Sequence, residues 1–207
     1  MNTPNLLARS ALFIALALGL TPASFAADPA TDAPKPTADL ISDLKASSQA
    51  DPDPTLKSLG ADLGDKAAAL NQSLDNTPKV QGQLQKGLNS LLGNRAPAAL
   101  DSLQHLTQAK LTPDQSKLAK DVYHTGSAYV VQKNFGSLEG SEGDVAQLVG
   151  SLRKGGSAEA LPALKKIGGN AKLTQPQKDL LTSLTDKYAP GLKKAGDALK
   201  SVPGLGK

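Results

Sequence analysis

Leucine recurs at helical spacing through most of this chain. From Thr55 onward, apolar residues return after three, four or seven positions, which places them on one face of an α-helix. No stretch shows the strict alternation of apolar and polar residues that a half-buried strand needs. The pattern predicts an all-α protein, and the recurring positions are Leu56, Leu59, Leu63, Leu70, Leu74, Leu84, Leu88, Leu91, Leu92, Leu100, Leu103 and Leu106.

Two segments of the chain resemble each other. Residues 96–122 match residues 157–184 at a spacing of about 61 residues, and both contain the turn Lys-Leu-Thr with Gln three positions after the Thr. Such a spacing is typical of repeated helical units. Chance similarity between helices rich in Leu and Ala is the alternative, but the shared turn favours duplication. We expect a helical bundle or short array built from two similar three-helix units, at about 79–135 and 144–200.

The shared turn has the composition of a helix start. Thr112 and Thr174 are good N-cap residues, and Gln115 and Gln177, three positions later, can bond back to the cap amide and complete a capping box. A proline follows each threonine within the first two helical positions, where no hydrogen bond is lost. Each turn therefore predicts a tight connection between two antiparallel helices.

The first 26 residues are typical of a secretory signal peptide. Arg9 provides a positive charge, residues 10–20 form an uncharged apolar run, and small residues at Ser24 and Ala26 predict cleavage after Ala26. A membrane anchor is the alternative reading, but spanning a bilayer needs about 20 apolar residues and this run is shorter. We therefore expect the protein to be periplasmic or secreted.

A leader and a single helical domain are expected after the signal peptide. Residues 27–54 are rich in Pro, Ala and Asp, which predicts a flexible, disordered leader interrupted by one short amphipathic helix near Thr37–Ser48. Residues 55–207 then form the helical domain. The chain contains no cysteine, so the domain is held together by its apolar core and not by disulfides.

The sequence lacks the usual patterns of catalytic and cofactor sites. His105 and His124 lie on the two arms of a predicted hairpin and would be roughly 15 Å apart, too far to share a metal ion. Glu139 and Glu142 lie in a Gly/Ser-rich joint where nothing would desolvate them. There is no Gly-x-Ser-x-Gly motif and no phosphate-binding loop. We expect no catalytic, cofactor-binding or metal-binding residue and no cofactor.

The carboxy-terminal segment is the one candidate binding surface. Residues 150–207 carry 11 lysine or arginine residues against four acidic residues, whereas residues 27–149 carry 11 against 15. A basic amphipathic helix at residues 188–207 could lie on an anionic membrane or envelope polymer. The alternative is a last helix that docks on the bundle with solvated lysines. The candidate surface-binding residues are Lys187, Lys193, Lys194 and Lys200.

Three functions follow from these features. The leading hypothesis is a non-enzymatic exported protein that acts through an unknown protein partner or as a structural part. The second is peripheral binding to an anionic membrane or polymer through the basic carboxy-terminal helix, and the third is an enzyme with a carboxylate-based site. Binding to nucleic acid is not supported, because the excess of positive charge is small. The sequence does not indicate an oligomeric state.

Overall fold

The computed structural model describes residues 35–74 and 77–188, and within these ranges the chain folds into α-helices without a β-strand. This confirms the predicted all-α class. The predicted signal peptide and the residues after Tyr188 lie outside the described ranges. The eight described helices are α1 (Thr37–Ala50), α2 (Pro54–Ser73), α3 (Pro78–Leu92), α4 (Ala96–Thr107), α5 (Pro113–Phe135), α6 (Glu142–Arg153), α7 (Ser157–Gly168) and α8 (Gln175–Tyr188).

The longest helix, α5, forms the centre of the structure. It packs against α2, α4 and α6, and every residue from Thr125 to Val131 is buried. A helix that is enclosed in this way has no single apolar face. Its aromatic residues Tyr123, Tyr129 and Phe135 are all buried, although they point in different directions around the helix axis.

Helix α1 belongs to the packed core. It coincides with the short helix expected near Thr37–Ser48, and its residues Leu40, Ile41 and Leu44 are buried against α2 and α3. Within the described residues, the packed core therefore includes a helix ahead of Thr55, where the helical domain was predicted to start. The flexibility predicted for residues 27–54 therefore does not apply to this helix, which packs against α2 and α3.

Two glycines let α1 lie close to α2. A Cβ atom at Gly60 would come within 1.8 Å of Ser48 Oγ, and one at Gly64 would come within 2.6 Å of the Lys45 side chain. Glycine inside a helix costs about 1 kcal/mol relative to alanine. Here that cost is offset by the close contact between the two helices.

A similar close contact holds the middle of the bundle. Leu103 of α4 is fully buried between Gly87 of α3 and Gly126 of α5. A Cβ atom at either glycine would come within 2.6 Å of a Leu103 methyl group. Leu103 therefore fixes the spacing of three helices at once.

The turn before α5 forms the predicted capping box. The Thr112 hydroxyl accepts a hydrogen bond from the Gln115 backbone N–H at 3.3 Å, and the Gln115 side chain accepts one from the Thr112 N–H at 3.1 Å. At the turn before α8, the Gln177 side chain accepts from the Thr174 N–H at 3.0 Å, which is the return bond of the same motif. Both turns satisfy amides that a helix start leaves free.

Candidate functional site

An open groove of about 650 Å³ lies between the start of α3 and the end of α4. Its floor consists of the buried side chains Val80 and Leu106 together with Ala109. Polar and basic residues form the walls. We call this site the α3/α4 groove, and its wall residues are Lys79, Gln83, His105, Gln108 and Lys110.

The local sequence explains why the groove is here. Helix α3 begins at Pro78, whose ring fits the first helical position, so Lys79 and Val80 emerge directly at the helix start. Helix α4 ends after Thr107, and the Gln108 N–H bonds to the His105 carbonyl in a tight last turn. The chain then runs to Thr112 as an irregular link, which leaves open space beside α3.

The charge in the groove is uncompensated within the described chain. Among the described residues, no acidic side chain lines it, and neither Lys79 nor Lys110 forms an ion pair. Both lysines are exposed, as is His105. A concave surface of one charge sign concentrates ligands of the opposite sign.

A second polar cluster lies at the contact of α5 with α8. The rings of Tyr123 and Tyr188 stack with centroids 5.8 Å apart, and His124 packs against Tyr123 at 5.4 Å. Burial raises the pKa of both phenols, so both stay neutral at physiological pH. Neither phenol oxygen has a hydrogen-bond partner among the residues described. The stacked rings therefore contribute to the packing of α8 on α5.

His124 is also kept neutral by its surroundings. Burial lowers its pKa, the nearby Asp121 carboxylate opposes this, and the positive charges of Lys120 and Lys66 lower the pKa further. Its Nδ1 atom is buried without a hydrogen-bond partner in the described chain. The ring edge at Nε2 lies against Gly155, where a Cβ atom would come within 3.0 Å. His124 thus contacts the link between α6 and α7.

The two histidines lie at different places in the fold. His105 lines the α3/α4 groove, whereas His124 packs beside Gly155 and Tyr123. Across residues 35–74 and 77–188, no three His, Asp or Glu side chains are grouped so that they could hold a metal ion.

Lys187 is held inside the bundle. Its ammonium group contacts the Asp101 carboxylate and donates to the Gln104 side chain at 2.9 Å, and only 10% of the side chain is exposed. The charge of this candidate residue is therefore used in joining α8 to α4. The other three candidates, Lys193, Lys194 and Lys200, lie outside the described residues.

Sequence reasoning did not identify the α3/α4 groove. His105 was considered only as a metal ligand, and Lys110 only as part of the repeated turn. A sequence signal that could have pointed to the groove is the 61-residue spacing: extended beyond the matched segments, it pairs neutral Gln83 with acidic Asp144.

The described residues thus form an all-α fold with a groove on its surface that is lined by lysine residues. No protein-family model, no curated protein and no solved structure matches it. None of the helices in the described part of the chain has both the length and the apolar character required to cross a bilayer. The function must therefore be argued from the residues themselves.

Proposed function

We propose that this protein is an exported, non-enzymatic helical binding module that acts through contact with a protein partner. The observation that carries the proposal is the α3/α4 groove, which joins an apolar floor to uncompensated basic walls. Binding sites for ligands commonly combine an apolar lining with a few polar groups, in volumes of about 300–1,000 Å³.

The rest of the described surface is polar, which favours a partner that binds through polar contacts. In residues 35–74 and 77–188, every Leu, Ile, Val, Phe and Tyr side chain is at least partly buried. Obligate interfaces usually resemble a domain core cut in half and need large apolar patches. A reversible contact centred on a polar groove fits this surface better than a permanent apolar interface.

We also propose that α3–α5 and α6–α8 are two copies of one unit. A shared detail beyond the turns supports this: Gln115 Nε2 donates to the Ser73 carbonyl at the end of α2 at 2.5 Å. In the same way, Gln177 Nε2 donates to the Asn134 carbonyl near the end of α5 at 2.6 Å. Each glutamine thus ties the start of its helix to the end of the helix three places earlier.

Export is part of the proposal and has its own test. Cleavage after Ala26 would give a mature protein that begins at Ala27 and is recovered from the periplasm or the medium. Fractionation of the host followed by amino-terminal sequencing measures both. An unprocessed amino terminus on protein recovered from the cytoplasm would remove this part of the proposal.

Site-specific photo-cross-linking in the host tests the binding function. A photoreactive residue replaces Gln108 in the groove or, as a matched control, Gln147 on α6, since both are exposed glutamines. We expect a discrete protein adduct from position 108 and none from position 147. Equal adducts from both positions, or none from either, would contradict the proposed role of the groove.

A further inference from the structure

The end of α7 against the start of α6 provides an internal comparison for the α3/α4 groove. In this second corner, Lys166 pairs with Asp144 at 3.2 Å, and Lys172 pairs with Glu139. Asn170 adds hydrogen bonds to the Glu139 carbonyl at 2.9 Å and to Ser141 Oγ at 2.8 Å. Lys166 and Lys172 are therefore both matched by acidic residues of the chain itself.

The α3/α4 groove has basic residues that correspond to those of the second corner, but among the described residues it has no acidic partners for them. Lys110 matches Lys172, and His105 matches Lys166 in the alignment of the two segments. Gln83, however, occupies the position of Asp144 at the 61-residue spacing, and no carboxylate of residues 35–74 or 77–188 lines the groove. The same arrangement of helix ends is thus closed by ion pairs in one place and left open and basic in the other.

We propose that the α3/α4 groove binds an acidic peptide segment of a partner protein, whose carboxylates take the place that Asp144 and Glu139 fill in the second corner. This inference rests on the proposed binding function and names the chemistry of the partner. Carboxylates of the peptide meet Lys79 and Lys110 at the walls, and its apolar side chains cover Val80 and Leu106 on the floor.

The walls favour a peptide over a simple anion. Gln83 and Gln108 each offer an amide donor and an amide acceptor, which complement the N–H and C=O groups of an extended backbone. A small inorganic anion would use the lysines and leave the floor and both amides unfilled. A membrane surface is disfavoured because the described chain exposes no large apolar side chain for insertion.

NMR titration of the ¹⁵N-labelled, purified protein tests the inference. One probe is a pool of hexapeptides randomised over Asp, Glu, Ala and Leu, and the other is a matched pool with Lys and Arg in place of the acids. We expect the acidic pool alone to shift the side-chain amide signals of Gln83 and Gln108. The shifts should decrease with rising salt, because the walls are exposed.

Two variants locate the binding. Lys79→Gln with Lys110→Gln removes both wall charges, and affinity for the acidic pool should fall about tenfold. Gln83→Glu supplies an internal carboxylate, as Asp144 does in the second corner, and should weaken binding by about threefold or more.

The control variant removes equal charge elsewhere. Lys154→Gln with Lys165→Gln changes two exposed lysines that form no ion pair in the described chain, and it should leave the affinity unchanged. The spectrum of each variant reports whether the fold is intact.

Three results would overturn the inference: no binding of the acidic pool, equal weakening by the control variant, or perturbation of the groove signals by phosphatidylglycerol vesicles but not by peptide. The cross-linking experiment separates this inference from the proposed function. A protein adduct at position 108 together with no binding of the acidic pool would leave a binding module whose partner is not acidic. Absence of both would remove the two proposals together.

Discussion

Replacing Gly60 with alanine tests how closely α1 is bound to α2. The new Cβ atom would lie 1.8 Å from Ser48 Oγ and 2.2 Å from Ser48 Cβ, whereas carbon atoms in comfortable contact are about 3.5–4.0 Å apart. Ser48 Cβ is attached directly to the backbone of α1, so rotation of a side chain cannot relieve the overlap. The helix itself has to move by roughly 1 Å.

The expected size of the effect follows from two opposing terms. Overpacking of this kind costs about 1–3 kcal/mol and sometimes more. Alanine in place of glycine inside a helix returns about 1 kcal/mol. Because the overlap at Gly60 is severe and involves the backbone of α1, we expect a net loss of about 2 kcal/mol in the free energy of unfolding.

A matched control is available in α3. Gly82 also lies inside a helix, but a Cβ atom there would meet nothing within 4 Å. Gly82→Ala should therefore stabilise the protein by about 0.5–1 kcal/mol. Urea unfolding followed by circular dichroism measures both variants, and hydrogen exchange of the α1 amides shows whether the loss is local to that helix.

The double variant Gly60→Ala with Ser48→Gly tests whether overlap with the Ser48 side chain causes the loss of stability. Removing the Ser48 side chain takes away both of the closest atoms, and the next contact, with the Tyr129 ring, is an acceptable 3.5 Å. We expect the double variant to lack the steric loss and to keep only the cost of introducing a glycine into α1, which has none. If Gly60→Ala is as stable as Gly82→Ala, then α1 does not pack on α2 as described.

Three further substitutions test the helix cap before α5, the packing of the core and the pH dependence of stability. Thr112→Ala removes the hydroxyl of the capping box and should lower the free energy of unfolding by about 1 kcal/mol in urea, and an unchanged midpoint would contradict the role of the cap. Leu103→Ala empties the space between two glycines and should cost about 2–5 kcal/mol by the same assay, whereas a loss below about 1 kcal/mol would mean that the core collapses around the cavity. His124 has a pKa lowered by burial, so the unfolded chain takes up a proton first as the pH falls below about 6.5. Stability should therefore decrease below that pH, and His124→Gln should make the decrease in melting temperature smaller; an equal decrease in the wild type and the variant would contradict this.

The helices were predictable because their signals are local. The leucine spacing and the Thr-x-x-Gln turn lie within a few residues of one another, and each acts through contacts inside one helix or one turn. Leu84, Leu88 and Leu91, three of the predicted apolar positions, are buried in α3. The start of the packed region was harder to predict, because its evidence is a pair of glycines on α2. By local propensity, Gly60 and Gly64 only weaken that helix, although glycines four residues apart also form a flat face for a neighbouring helix.

The candidate site depended on contacts that no local pattern records. Lys187 was taken as a surface cation, but its charge is met by Asp101, 86 residues earlier in the chain. Lys79 and Lys110 lie in different segments and form one surface only because α3 and α4 are neighbours. Which lysines are free to bind is therefore a property of the packed helices, and it cannot be read from the distribution of charge along the chain.

Under the proposed duplication, the second corner and the α3/α4 groove illustrate how one arrangement of helices could serve stability in one place and the proposed binding in the other. An exposed ion pair adds little to stability, typically less than about 1 kcal/mol. Loss of the acidic partners from one corner would therefore cost the fold little, and it would leave basic groups able to meet carboxylates from another molecule. In the second corner, Lys166 keeps its pairing with Asp144, whereas the α3/α4 groove has neutral Gln83 at the position that the 61-residue spacing matches to Asp144. Under the proposed duplication, a few substitutions at one of two similar corners are enough to produce the proposed binding site, without any change in the helices that surround it.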